Sequence, residues 1–138
     1  MAVNPRTGGL EGDGDDAFGG GPSRRDEVVV EAARLGPAQL VVLRGDINFT
    51  SAEATEERLA ALVAGAPAVV VDLTGVRYLD SSGLSMLLRQ ARAAAGRDAA
   101  FLVVRGSGAQ PLFRLCTVGR AMRVLDSREA ALAALADG

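Results

Sequence analysis

The stretch Val69-Val70-Val71-Asp72-Leu73-Thr74-Gly75-Val76-Arg77-Tyr78-Leu79-Asp80-Ser81-Ser82-Gly83-Leu84 decides the fold. Three consecutive β-branched valines suit a strand covered on both faces better than one with a wet side. From Leu84 the apolar period changes, and Leu84, Leu87, Leu88, Ala91 and Ala95 fall on one face of a helix. The expected local structure is a buried strand, a loop over residues 74–82, and a helix that opens on two serines. Asp80 and Ser81 then stand at a helix N-terminus, where unpaired amides and the positive end of the dipole can hold an anion.

Upstream, Glu27 to Leu35 reads as a first strand, Gly36-Pro37 as its turn, and Gln39 to Arg44 as an antiparallel second strand. Gly45 to Phe49 is the exit loop. Thr50 and Glu53 have the spacing of a capping box opening a helix, with Thr55, Leu59, Leu62 and Val63 inward and Glu53, Glu56, Glu57 and Arg58 outward. Residues 65–67 end it, and the central strand follows from Ala68 to Leu73.

Downstream, Gly96 stops the serine-bearing helix and Ala100 to Val104 forms the next strand. Pro111 fits the first turn of a short helix reaching Thr117. Met122 to Leu125 is a last strand, and Asp126 with Glu129 caps a closing helix whose inner residues are Ala130, Leu132, Ala133 and Leu135. The order β-β-α-β-α-β-α-β-α places the chain in the α/β class, as one domain over residues 26–138. Its mixed sheet is five-stranded and mainly parallel, with four helices. Residues 1–25 hold seven glycines and two prolines, with only Val3, Leu10 and Phe18 as sizeable apolar residues, and are expected to be a disordered tail.

Composition removes several functions. The 138-residue chain contains no His, which excludes Ser-His-Asp and Cys-His catalysis and the commonest metal ligand. All 15 basic residues are Arg, so no lysine is available as a base either. A net charge of -2 gives no bulk attraction to nucleic acid or membrane. Cys116 stands alone among Leu112, Phe113, Leu115 and Val118, which suits a core residue in a reducing compartment. Neither a signal peptide nor a membrane-length apolar run is seen, so a cytoplasmic protein is expected.

Loops gather beyond the carboxyl ends of parallel strands, which should bring Asp46, Asn48, Asp80, Ser81, Ser82 and Ser107 to one edge. The carboxylates match no calcium loop, and no metal or cofactor is expected. Two readings of the serine remain open: Asp80 or Ser81 merely caps a helix, or Ser81 is displayed to receive a phosphoryl group from another protein.

The Leu-Asp-Ser-Ser-Gly-Leu motif at 79–84 follows a Val-rich strand and has Leu-Arg-Gly-Asp-Ile-Asn-Phe-Thr-Ser-Ala at 43–52 upstream. Downstream come Pro-Leu-Phe-Arg-Leu at 111–115 and Asp-Ser-Arg-Glu-Ala-Ala-Leu at 126–132. Together they resemble the STAS domain, and more closely the bacterial anti-sigma factor antagonists, over residues 26–137. The resemblance implies a partner-switching protein, itself not an enzyme. It would bind an anti-sigma factor that is also a serine kinase, so releasing a sigma factor, and a serine phosphatase would act on it transiently.

By the same resemblance Ser81 is the phosphoacceptor, surrounded by Asp46, Asn48, Asp80, Ser82 and Gly83. Asp46, Asn48, Thr50, Ser81, Ser82, Leu84 and Ser85 would meet the partner. The family commonly carries Asp where this chain has Asn48, and Asp46 two residues earlier would stand in for that charge. The alternative is a STAS scaffold or accessory subunit of a signalling or transporter complex, working without phosphorylation. The resemblance leaves the oligomeric state and the identity of the sigma factor open.

Overall fold

The computed structural model describes residues 28–106 and 122–137. The N-terminal tail, the helix expected at 111–117, Ser107 and Cys116 lie outside the described residues. Strands β1 (Val29–Leu35) and β2 (Ala38–Ile47) form an antiparallel hairpin that pairs Leu35 with Ala38. Its two-residue turn puts Gly36 at φ +56 followed by Pro37, an arrangement suited to a type II′ turn. The chain continues through α1 (Ala52–Val63), β3 (Ala68–Leu79), α2 (Ser81–Ala95), β4 (Ala100–Val104), β5 (Arg123–Leu125) and α3 (Arg128–Asp137). The sheet order is β1-β2-β3-β4-β5, and every pairing after the hairpin is parallel. The expected mixed five-stranded sheet is therefore present, with three helices among the described residues where four were expected.

Both faces of the sheet are covered, which explains the uninterrupted apolar runs of β3 and β4. Val41, Leu43, Val69, Val71 and Val103 point to the layer of α1 and α2, where Leu59, Val63, Leu84, Leu87 and Ala91 meet them. Leu40, Val42, Val70, Leu102 and Val104 point the other way, toward Ala131 of α3. Each such aliphatic side chain removed from water contributes roughly 1.5–3 kcal/mol.

Several local expectations are corrected. β3 does not stop at Leu73 but runs to Leu79, because β2 continues beside it and pairs Arg44 with Gly75, Asp46 with Tyr78 and Ile47 with Leu79. Two register shifts absorb the glycines that suggested a loop, and Gly45 adopts φ +111. In α1, Leu62 is exposed and Ala52 takes an inward place. In α2, Met86 and Ala94 are buried whereas Ala95 is exposed. Gly96 is right-handed, and the left-handed residue that turns the chain is Asp98 at φ +59. At α3 the Ser127 hydroxyl accepts the Ala130 amide at 3.0 Å, while Asp126 pairs with Arg105 instead of capping. That helix turns Ala131 inward, with Ala134 and the expected Leu135 partly buried beside it, and Leu132 is exposed.

One buried charge was not anticipated. Asp72 is 1% exposed on β3 and accepts hydrogen bonds from the Thr74 amide at 2.8 Å, the Thr74 hydroxyl at 2.7 Å and Arg128 of α3. Burial alone pushes the carboxyl up, but the Thr74 and Arg128 hydrogen bonds outweigh it and hold it below the ordinary value. The contact ties α3 to the sheet centre. Arg128→Ala should lower unfolding free energy at neutral pH by about 2 kcal/mol, less than the ~3–5 of a fully buried pair because the arginine is half exposed. Because the folded pKa lies below the unfolded one, the contribution is complete well above pH 3.8 and fades as pH falls through 3.8 toward the folded value. Urea unfolding followed from pH 7 to pH 3 should therefore show a shallower acid loss for Asp72→Asn than for wild type.

Candidate functional site

The continued pairing of β2 and β3 ends both strands side by side, and the Asp80 amide donates to the Ile47 carbonyl at 3.1 Å across the gap. The helix begins on the next residue. Asp80 is its N-cap, extended at φ -97 and ψ -172, and its Oδ1 accepts the amides of Ser82 at 2.8 Å and Gly83 at 3.2 Å. Of the two candidate caps, the carboxylate takes the role. The Ser81 hydroxyl is left exposed, without a hydrogen bond among the described residues, and Ser82 is half-buried. The anion-ready helix end expected from sequence is accordingly already occupied in part by the chain's own carboxylate.

Gly83 is required by proximity. A Cβ there would lie 2.4 Å from Leu79 Cδ1 and 2.9 Å from Ile47 Cγ2. The first turn of α2 thus rests directly on the ends of β2 and β3, which fixes where Ser81 stands.

The turn from β2 into α1 differs from the expected capping box. The helix starts at Ala52, and Thr50 is not its cap: the Thr50 amide and hydroxyl both donate to Asn48 Oδ1, at 2.9 and 2.6 Å. The Asn48 carbonyl accepts the amides of Ser51 and Ala52 at 3.0 and 2.8 Å. Ser51 folds its hydroxyl back, accepting from the Asn48 amide at 3.0 Å and donating to the Asp46 carbonyl at 3.1 Å. Asp46 faces Arg77, whose Nε lies 3.2 Å from Oδ1; the two charges attract, but the approach is not aligned as a hydrogen bond, and that buried oxygen has no aligned donor among the described residues.

Asp46, Asn48, Thr50, Asp80, Ser81 and Ser82 are therefore brought to one edge, with Ser85 exposed one turn further along α2. Leu84 does not belong to that surface: at 5% exposure it packs into the core. Between the first turns of α1 and α2 runs an open groove of about 460 Å³ walled by Phe49, Ala52, Glu53, Ser82 and Ser85. Arg89 closes one end, held by Glu56 through Nη2 at 2.7 Å and Nε at 3.2 Å. This hydrogen-bonded pairing with Arg89, opposed by partial burial, holds the Glu56 carboxyl below its ordinary value. Phe49 is 79% exposed at the rim and Tyr78 is 52% exposed. Sequence reasoning placed Phe49 in a loop without a role; an apolar residue breaking an otherwise polar turn was the available signal.

Residues 30–126 match the family described as Mlab, STAS domain. The chain belongs to the STAS domain family. By sequence it is similar to the anti-sigma-F factor antagonist RsfB of Mycobacterium tuberculosis, 29% identical over 118 residues that cover 84% of this chain and 96% of that one. By structure it is similar to an anti-sigma factor antagonist from Mycobacterium paratuberculosis, with a TM-score of 0.74, 28% identity, and coverage of 84% of this chain and 100% of that chain. It also shares its fold with the anti-sigma factor antagonist SpoIIAA in its unphosphorylated form, at a TM-score of 0.63 and 15% identity over 78% of this chain and 97% of that one. Among the described residues of this STAS domain, no helix is long and apolar enough to cross a membrane.

The packing at the motif gives a direct test. Gly83→Ala should destabilise the STAS domain by about 1–3 kcal/mol, despite the better helix propensity of alanine, because the methyl group must displace Leu79 and Ile47. Thermal unfolding monitored by circular dichroism reads this directly; an unchanged or raised midpoint would mean that the helix end is free to lift away.

Proposed function

We propose that this protein is an anti-sigma factor antagonist, a cytoplasmic binding protein that captures an anti-sigma factor with serine kinase activity and is switched by reversible phosphorylation of Ser81. The observation that carries the reading is the Ser81 hydroxyl, exposed at the first position of α2 while Asp80 performs the capping. The similarity to anti-sigma factor antagonists of two mycobacteria supports the same class of partner.

The electrostatics support a switch by disruption. A phosphoryl group adds about -1.5 to -2 charges at neutral pH. The Ser82 and Gly83 amides that could receive it already bond to Asp80 Oδ1. The dianion would therefore sit beside a carboxylate and would have to be desolvated under a bound partner. A penalty of roughly 3 kcal/mol corresponds to an affinity loss on the order of a hundredfold. A serine phosphatase would restore the hydroxyl.

Ser81→Ala, used as bait in cells of the source organism, should retain a protein with a kinase fold that has given up its sigma factor. The recombinant partner and ATP should then phosphorylate wild type at Ser81, as read by site-resolved mass spectrometry, and Ser81→Asp should bind on the order of a hundredfold more weakly than Ser81→Ala. Equal affinities would remove the switch. Of its side-chain atoms Asn48 uses only Oδ1 in the turn, in contacts that a carboxylate would also make. Asn48→Asp is thus expected to unfold at an unchanged temperature and to accelerate Ser81 phosphorylation several-fold in the same assay.

The missing charge at Asn48 favours one second reading, an accessory STAS subunit that binds through this edge without phosphorylation. Recovery of transporter ATPase components or other STAS proteins, with both serines unmodified, would select it.

A further inference from the structure

Phe49 is the most exposed of the large hydrophobic side chains among the described residues, at 79%. The backbone on both sides of it is held by the hydrogen bonds of Asn48 and Ser51. Covering the ring therefore orders a side chain and not the loop that carries it. Beside it lies the groove, whose charges are unequal in use. Arg89 and Glu56 neutralise each other, whereas Glu53 is exposed and has neither an ion pair nor a side-chain hydrogen bond among the described residues. Asp80 on the adjoining edge adds to the negative field, whereas Asp46 is faced by Arg77. Ser82 walls the groove and is the neighbour of Ser81, so whatever fills the groove also approaches the phosphoacceptor.

We propose that Phe49 is the apolar anchor of the anti-sigma partner, and that the partner covers it with an apolar socket rimmed by a basic side chain that pairs with Glu53. The inference rests on the reading of this edge as the anti-sigma surface and specifies what that partner presents to it. Aromatic anchors in desolvated sockets carry a disproportionate share of interface energy, while complementary rim charges govern association and its salt dependence. An acidic groove with one exposed ring therefore selects a basic and apolar counter-surface over an acidic one.

The recombinant partner identified with the Ser81→Ala bait is the probe, and its affinity for purified variants in the Ser81→Ala background is measured at low and moderate salt. Phe49→Ala should weaken binding more than about tenfold at either salt concentration, whereas Phe49→Trp, which retains an aromatic ring, should weaken it far less. Glu53→Lys should weaken binding about tenfold at low salt and less as salt rises, and Glu57→Lys, exposed on the same helix but outside the groove, should change it less than about threefold. Circular dichroism verifies that each variant is folded. If the Ser81→Ala protein binds while Phe49→Ala stays within about twofold of it, or if Glu53→Lys and Glu57→Lys behave alike, the anchor and its basic rim are overturned and the proposed function stands. If no anti-sigma factor binds the Ser81→Ala protein at all, the proposed function fails and the anchor with it.

Discussion

β2 and β3 remain paired through two register shifts, from Gln39 and Val69 at one end to Ile47 and Leu79 at the other. The serine edge depends on that persistence. Had the pairing ended with the apolar run at Leu73, Asn48 and Asp80 would stand on separate loops, each free to move. Instead the Asp80 amide closes on the Ile47 carbonyl, and the capping carboxylate and the Asn48 turn become parts of one frame. Gly83 completes it, because the absence of a side chain lets the helix end settle onto Leu79 and Ile47. A site held by backbone pairing needs few side-chain contacts of its own, which leaves Ser81 available.

The opposite face of the sheet shows how the frame is kept still. Asp72 lies on β3, upstream of the stretch that carries the site, and binds Arg128 from α3 while α1 and α2 cover the other side. Removing only one member of such a contact leaves a buried group without its partner, so its energetic weight exceeds what the exposed arginine suggests. Closer to the site, the Glu56 and Arg89 pairing joins α1 to α2 at the surface. Being exposed on the arginine side, it adds orientation more than stability.

The strands and helices that bury a continuous apolar face were legible in the sequence: β4 runs over the expected residues, and the β1-β2 turn lies at Gly36-Pro37. What was not legible depended on partners distant in the chain. Gly75 weakens a strand when read locally, and only the extension of β2 beside it makes residues 74–79 a strand. The capping boxes failed for a related reason. Ser, Thr, Asn and Asp compete for the same amides, so spacing alone did not reveal that Thr50 would donate to Asn48 or that Asp126 would turn to Arg105. The edge gathering Asp46, Asn48, Asp80 and Ser81 was foreseeable because parallel topology fixes where loops emerge. The burial of Asp72 was not, since a lone carboxylate in a valine run has no local signature of its distant arginine.

Asp80 is the residue on which structure and proposed switching meet. As a cap it accepts two amides and satisfies donors that the helix would otherwise leave unpaired. The same contacts withdraw those amides from any anion placed on Ser81. A helix end capped by serine would commit the hydroxyl and, once it was phosphorylated, would draw the phosphate onto the helix amides; an aspartate cap leaves the neighbouring hydroxyl free of that role. The cost is local repulsion between phosphate and carboxylate, which falls at the surface where a partner would dock and leaves the core untouched. Separating the group that holds the helix from the group that would be modified would allow a charge change of this size to alter binding without unfolding the domain.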